Sequence, residues 1–178
     1  MNAFDLGQNI HNHKLPFRLY PALWNKFNSA NFNYSDNEII QLKYLNDDGT
    51  DFNAEVDDIP NDKGGLYFYY IKFDKINEMA SYLIYIGRAQ FTTNQNLKKR
   101  CKEYFNGYKN DPDLKKMRPK IYRMLHTWGK NLYLKFIIIN NNNKIKELEA
   151  DLINTILPPF NNQIPDKNIR DAVKAFDN

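Results

Sequence analysis

Residues 82–105 read YLIYIGRAQFTTNQNLKKRCKEYF, and they predict the unit around which the rest of the chain folds. An apolar run ends abruptly at Gly87, a polar loop follows, and a basic helix carrying Arg100 and Tyr104 begins. A second run, residues 65–73, lies upstream and is almost wholly aromatic and aliphatic, which is typical of a strand with both faces covered. The two runs are close enough in sequence to form an antiparallel hairpin.

The elements downstream of this unit complete one domain. Apolar spacing, with proline or glycine at the ends, predicts a helix over residues 119–129 and a helix over residues 144–157, with a strand over residues 132–139 between them. The order is strand, strand, helix, helix, strand, helix. It predicts an α/β (α+β) domain over residues 63–178, with a small three-stranded central sheet flanked by helices.

Residues 1–62 are predicted to form an N-terminal extension that serves in packing or dimerisation. A short helix begins at Pro21. Strand character over residues 39–45, with a returning strand over residues 52–56, predicts a β-hairpin around the turn Asp48-Gly49.

Length and composition exclude several classes of protein. The chain has 178 residues, enough to bury a core, and 15% of them are aromatic, so it is not a disordered chain. No stretch approaches the roughly 20 consecutive apolar residues of a membrane span. The N-terminus lacks the pattern of a secretory signal, so a cytoplasmic protein is expected. The single Cys101 excludes an internal disulfide and a multi-cysteine zinc site.

Charge is distributed unevenly along the chain. The net charge is +4, yet residues 36–62 hold nine acidic residues and one lysine, whereas residues 88–135 hold thirteen Lys and Arg against three acidic residues. A basic block of this kind is expected of a protein that meets a nucleic-acid backbone; the alternative is a solvated basic surface. The candidate nucleic-acid contacts are Arg88, Lys98, Lys99, Lys102, Lys116, Arg118, Lys120 and Arg123.

Helical periodicity places one carboxylate where carboxylates are rarely found. In the helix over residues 144–157, Ile145, Leu148 and Leu152 form an apolar stripe, and Glu149 lies inside it. An unpaired buried carboxylate would be protonated, so a metal ion, a buried arginine or a cleft beside the helix is needed to explain it. The alternatives are a stripe edge that opens to solvent and a structural salt bridge.

The same periodicity separates Arg100 and Tyr104 from the lysines of their helix. Both lie at one margin of an apolar stripe that contains Cys101, one turn apart, while the lysines spread over the solvent side. A guanidinium at that margin can reach a cleft and bind phosphate with two N–H groups. The alternative is an arginine whose stem covers the core and whose head reaches water. Cys101 itself is interpreted as a small core residue.

These residues resemble the GIY-YIG nuclease family. The resemblance covers residues 65–161 and implies a small three-stranded sheet flanked by helices. It also implies hydrolysis of a phosphodiester bond in DNA with one divalent metal ion, Mg2+ or Mn2+. The residues that carry it are Gly65-Leu66-Tyr67, Tyr85-Ile86-Gly87, Arg100 with Tyr104, and Glu149 ahead of Pro158-Pro159 and Asn161.

The resemblance implies a role for each matching residue. Glu149 would bind the metal, Arg100 and Tyr104 would bind the scissile phosphate, and Tyr67 would deprotonate the attacking water with Tyr85 beside it. A tyrosine is a poor base at its ordinary pKa of about 10, so Tyr67 needs nearby cations that lower its pKa. Arg88 is added as a further contact to phosphate, and the positions with a structural role are Gly65, Gly87 and Asn161.

Three departures from the family pattern bear on the kind of nuclease expected. The first triplet reads Gly-Leu-Tyr, Arg88 stands where many relatives have lysine, and residues 88–99 form a longer segment than in the shortest members. The longer segment favours the restriction-enzyme branch. We therefore expect a restriction or defence-type endonuclease that acts on double-stranded DNA as a homodimer. The alternatives are a non-cleaving nucleic-acid-binding module and a repair or homing nuclease of the same family.

Overall fold

The computed structural model describes residues 2–28, 32, 34, 38–73, 75–76 and 80–176. Short 3₁₀ helices lie at Ala54–Asp58 and Gly129–Asn131. Within the described residues, no helix combines the length and the apolar character that crossing a membrane requires. The other elements are α1 (Ala3–Asn12), α2 (Pro21–Trp24), β1 (Ile40–Lys43), β2 (Gly65–Lys72), β3 (Ser81–Ala89), α3 (Leu97–Asn110), α4 (Leu114–Met117), α5 (Pro119–Trp128), β4 (Leu132–Ile138), α6 (Asn142–Ile156) and α7 (Lys167–Phe176).

The four strands form one antiparallel sheet in the order β1-β4-β2-β3. On the inner strand β2, Tyr67 lies opposite Gly87 of β3 on one side and opposite Phe136 of β4 on the other. The mixed α+β class is confirmed, but the predicted three-stranded sheet is wrong by one strand. Ile40 of β1 pairs with Phe136 as well, so β1 covers the hydrogen-bonding edge that β4 would otherwise leave open.

The predicted β-hairpin of the N-terminal extension is wrong in its second half. Leu45 and Phe52 form an isolated bridge, after which the chain enters the 3₁₀ helix at Ala54–Asp58. The Asn53 side chain accepts a hydrogen bond from the backbone N–H of Glu55 at 3.0 Å, which caps this helix and ends the extended segment. The first predicted strand therefore pairs mainly with β4, and its contact with the returning segment is limited to this bridge.

Alternate side chains of β2 pack into two different hydrophobic cores, one on each face of the sheet. Tyr67 and Tyr69 belong to the core that packs beneath α3 and α5, whereas Leu66 and Phe68 belong to the core beneath α6. All four are at most 6% exposed, as expected for an inner strand that is covered on both faces. Strand β3 is one of the two outer strands of the sheet, so side chains from both layers can meet at its edge.

A turn after α6 brings the chain back to that edge. Leu157 ends the helix in the left-handed conformation, with φ 53°, and donates its backbone N–H to the carbonyl of Ile153 at 3.0 Å. Pro158-Pro159 cannot continue the helix. Phe160 then donates its backbone N–H to the carbonyl of Ile84 on β3 at 3.0 Å, which fastens the turn to the sheet.

Candidate active site

A cavity of about 610 Å³ lies at the β3 edge of the sheet. It is bounded by β2, β3, α3 and α6 and by the turn that follows α6. The residues predicted to act in catalysis come from four separate elements, and the fold brings all of them to this cavity. They are Tyr67, Tyr85, Arg88, Arg100, Tyr104 and Glu149.

Three tyrosine hydroxyls share one hydrogen-bond network beside the cavity. The hydroxyl of Tyr104 lies 2.9 Å from the hydroxyl of Tyr67 and 2.9 Å from the hydroxyl of Tyr85. The rings of Tyr67 and Tyr85 stack with centroids 6.3 Å apart. Tyr104 therefore holds the other two hydroxyls in fixed positions, which satisfies polar groups that burial would otherwise leave unpaired.

The pKa of Tyr67 is raised and not lowered, so this residue is poorly suited to act as a catalytic base. Burial raises the pKa of Tyr67 well above its ordinary value, and the neighbouring Tyr104 and Tyr85 raise it further, while Arg100 lowers it. Burial likewise raises the pKa of Tyr85. The protein's own groups thus keep the Tyr67 hydroxyl protonated.

Gly87 provides the space in which the Tyr67 ring lies. A Cβ at position 87 would overlap the end of that ring, at the carbon that carries the hydroxyl and at the hydroxyl oxygen. Gly65 is restricted in the same way, because a Cβ there would overlap the carbonyl oxygen of Ile137. Position 87 in the second triplet must therefore be glycine, because a side chain there would displace the Tyr67 ring of the first triplet.

Arg100 is held at the cavity by two neighbours on α3. Its Nη1 donates to Oε2 of Glu103 at 2.5 Å, and its guanidinium lies 5.3 Å from the centroid of the Tyr104 ring. Glu103 is itself fixed, since the side chain of Gln95 donates to its other oxygen at 2.7 Å. Partial burial disfavours the charged guanidinium, but Tyr67, Tyr104 and Glu103 outweigh it and raise the pKa of Arg100. Arg100 is a permanent, positioned cation.

Sequence reasoning missed Glu103 and Gln95. Helical periodicity places Glu103 among the solvated lysines of α3, so its role was not predicted. The i, i+3 spacing of Arg100 and Glu103 was the signal that could have found it.

Glu149 meets Arg88 at the cavity. The side chain of Glu149 is 16% exposed and that of Arg88 is 37% exposed, and Nη1 of Arg88 donates to Oε2 of the carboxylate. Burial raises the pKa of Glu149, whereas Arg88 and then Arg100 lower it. The charge inside the apolar stripe of α6 is therefore explained by an arginine on β3 and by a cleft together.

Asn161 fastens the turn after α6 to β3. Its side-chain oxygen accepts from the backbone N–H of Ile86 at 2.9 Å, and its side-chain amide donates to the carbonyl of the same residue at 2.8 Å. The amide thereby imitates the pairing of a neighbouring strand at an outer edge. This contact holds β3 and the end of α6 in register, so it fixes Tyr85 and Glu149 relative to each other.

The donor set of the cavity fits one magnesium or manganese ion. Glu149 is the only carboxylate among the described residues that line it, and the bond from Arg88 uses one of its two oxygens. Across the described part of the chain, no three His, Cys, Asp or Glu residues group as ligands. Magnesium retains most of its waters and needs one or two carboxylates, whereas zinc takes three or four protein ligands.

The predicted nucleic-acid contacts divide into two groups. Arg88 and Arg118 line the cavity, and Lys120 and Arg123 line cavities next to it. The remaining four lie outside these three cavities and have their own partners: Lys98 and Lys102 both with Asp57, Lys99 with the carbonyl of Asn94, and Lys116 with Asp113.

Comparison with known proteins gives one partial likeness. No family model matches the chain, and no solved structure matches it. Over 100 residues, which are 56% of this chain, it is 28% identical to the UvrABC system protein C of Wolinella succinogenes. The match spans 14% of the length of that protein, so the likeness concerns a small part of it.

Proposed function

We propose that this chain is a divalent-metal-dependent endonuclease that hydrolyses phosphodiester bonds in DNA. The observation that carries the proposal is the convergence of Tyr67, Arg100, Tyr104 and Glu149 on one cavity from three different elements. The partial likeness to a UvrABC system protein C agrees with a nuclease-type function in DNA processing. Phosphodiester hydrolysis needs a cation-binding carboxylate and a fixed positive group on the phosphate, and this cavity offers both.

Each residue of the cavity has a part in the proposed reaction. Glu149 would hold the metal ion, which when bound supplies positive charge at the phosphate oxygens. Arg100 would bind the scissile phosphate and offset the negative charge that grows on it during attack. Because Tyr67 stays protonated in the protein alone, it would position the attacking water through its hydroxyl unless further cations lower its pKa. Tyr104 would keep that hydroxyl in place.

The finer proposal is a restriction or defence-type enzyme that acts on double-stranded DNA as a homodimer. It is supported by the segment between Arg88 and α3, which is longer than in the shortest relatives of the resembled family. In this segment Phe91 is exposed, and its backbone is tied to Asn142 of α6 by hydrogen bonds of 2.9 and 3.0 Å. The segment thus offers a supported surface beside the cavity for contacts with bases.

Plasmid nicking in the presence of Mg2+ or Mn2+ tests the proposal. The wild-type chain should nick supercoiled DNA, and Glu149→Ala should lower the rate at least about 100-fold, in line with loss of a metal ligand. Glu147→Ala is the matched control, since it removes a carboxylate from the exposed side of the same helix. If Glu149→Ala cut as fast as the parent protein, Glu149 would not be the metal ligand.

The pairing of Arg88 with Glu149 favours a second candidate, a nucleic-acid-binding module that does not cleave. In the described structure, one oxygen of the carboxylate that would hold the metal already accepts from an arginine. Tight binding of duplex DNA without cleavage under any divalent metal would support this candidate. Metal-dependent cleavage by the wild-type chain that Glu149→Ala abolishes would exclude it.

A further inference from the structure

A second cavity, of about 190 Å³, adjoins the candidate active site. The two cavities share Ile153, Asn161 and Asn162 in their linings, so they meet along the turn that follows α6. The second cavity lies between that turn and α7. Among the described residues it is lined by four cations and no carboxylate: Arg18, Lys120, Arg170 and Lys174.

Two of these cations are held in place by backbone carbonyls. The Nζ of Lys120 donates to the carbonyl of Pro159 at 3.1 Å, and Nη1 of Arg170 donates to the carbonyl of Ile164 at 3.0 Å. Arg170 keeps four further N–H donors for a ligand. Lys174 lies one turn along α7 from Arg170, and neither forms an ion pair with a carboxylate in the part of the chain that the structure describes.

The rest of the lining combines apolar side chains with two side-chain amides. The residues are Ile153, Leu157, Pro158, Ile164 and Val173, with the amides of Asn161 and Asn162. A nucleotide backbone unit has groups for both kinds of surface, because the deoxyribose carbons are apolar and the phosphate is charged.

A third cavity, of about 330 Å³, continues the series. It shares Arg18 and Lys120 with the second cavity and adds Arg123. Eight different Lys and Arg residues line the three cavities, against the one carboxylate of Glu149. A row of cations that leads away from a cleavage site matches the repeated charge of a nucleic-acid strand.

We propose that the second cavity binds a backbone phosphate of the DNA strand that passes the candidate active site, with Arg170 and Lys174 as its principal ligands. The inference rests on the proposed function and extends it with a phosphate site on α7. The lysines on the outer face of α3 are unlike this site, because Asp57 pairs with both Lys98 and Lys102. Asp57 offsets part of the charge of those lysines, whereas Arg170 and Lys174 have no carboxylate partner among the described residues.

Salt-dependent DNA binding tests the site without needing cleavage. Duplex affinity is measured by fluorescence anisotropy between 50 and 200 mM salt, without divalent metal, for two double variants that each remove two positive charges. Arg170→Gln with Lys174→Gln removes the proposed ligands, and Lys26→Gln with Lys146→Gln removes exposed lysines outside the three cavities. The first should weaken binding about tenfold and lower the slope of log affinity against log salt by about 2. The second should change the slope little.

The outcomes separate the two proposals. Equal losses in the two double variants would mean that net charge alone matters, and the phosphate site would be wrong. Unchanged affinity in the first variant, with nicking by the wild-type chain, would overturn the site and leave the nuclease standing. No DNA binding by the wild-type chain would overturn both. Lys174→Gln alone covers the case in which the double variant misfolds, because Lys174 is exposed, and it should lower the slope by about 1.

Discussion

The two faces of β2 behave differently although their residues alternate along one strand. On one face Tyr67 and Tyr69 are fully buried, and both hydroxyls are hydrogen-bonded. On the other face Leu66 and Phe68 pack beneath α6 among aliphatic side chains. Of these four residues, Tyr67 alone lines the cavity. Both faces pack into a core and stabilise the fold, and the tyrosine face also brings the side chain of Tyr67 to the cavity.

The tyrosine face contains a finer contrast. The hydroxyl of Tyr69 donates to the backbone carbonyl of Cys101 at 3.2 Å, inside the core, whereas the hydroxyl of Tyr67 meets Tyr104 beside Arg100. Burial raises the pKa of Tyr67 and of Tyr69 alike. A buried tyrosine with a high pKa is therefore not in itself a sign of function. The difference lies in access to the cavity.

Tyr67→Phe should have the largest effect on activity. It removes the hydroxyl that would position the attacking water, so we expect metal-dependent nicking to fall at least about 10²-fold, as when a reacting group is misplaced. The variant loses one hydrogen bond, worth about 0.5–1.5 kcal/mol of folding stability. Single-turnover nicking and thermal unfolding measure the two effects. Tyr69→Phe should lose similar stability and keep nearly full activity; equal losses of activity would remove the contrast between the two tyrosines.

Leu66→Ala probes the aliphatic face. Leu66 is fully buried, and its truncation should lower the free energy of unfolding by about 2–5 kcal/mol, as measured by urea denaturation. The folded fraction should nick DNA at nearly the wild-type rate, because no atom of this side chain lines the cavity. Leu66→Ile is the control of similar volume and should cost less. A loss of activity at unchanged stability would mean that the two faces are not separable.

Gly87→Ala perturbs the tyrosine face by steric overlap and not by removal of a hydroxyl. The new Cβ would overlap the Tyr67 ring, so we expect a destabilisation of about 1–3 kcal/mol and a loss of nicking of about 10²-fold from displacement of the hydroxyl. Gly107→Ala on α3 is the matched control. Its Cβ would meet Leu114 at 3.6 Å, an ordinary contact, and alanine favours a helix by about 1 kcal/mol. Wild-type activity in Gly87→Ala would show that the ring position is not critical.

Local pattern was enough to predict most elements and the anomaly at Glu149. The helices α5 and α6 were predicted because proline or glycine marks their ends and apolar residues recur every three or four positions. Strands β2, β3 and β4 were predicted as apolar runs. The carboxylate in the stripe of α6 was predicted to need an arginine, a metal or a cleft, and an arginine and a cleft are found there.

What the sequence could not predict depends on distant partners. The pairing of β1 with β4 joins segments about 90 residues apart in the chain, and nothing local selects it over a hairpin. Likewise, Asp57 from the acidic segment pairs with both Lys98 and Lys102, so part of the uneven charge in the sequence is offset in space. Helix α7 was missed, because the predicted order ended with the helix over residues 144–157; α7 buries no residue.

Glu149 connects the two layers, because α6 packs on the aliphatic face while this one side chain lines the cavity. Burial raises its pKa above the ordinary 4.5, so the folded protein binds the proton more tightly than the unfolded chain does. Stability should therefore fall as pH rises from 4.5 through the raised value, and the ionised carboxylate costs stability above it. At pH 7, Glu149→Gln should melt up to about 3 °C above the wild-type chain, and the difference should close as pH falls towards 4.5. Glu147→Gln should melt with the wild-type chain at both pH values. If Glu149→Gln instead melted below the wild-type chain at pH 7 and this deficit closed in acid, Arg88 and not burial would dominate the site.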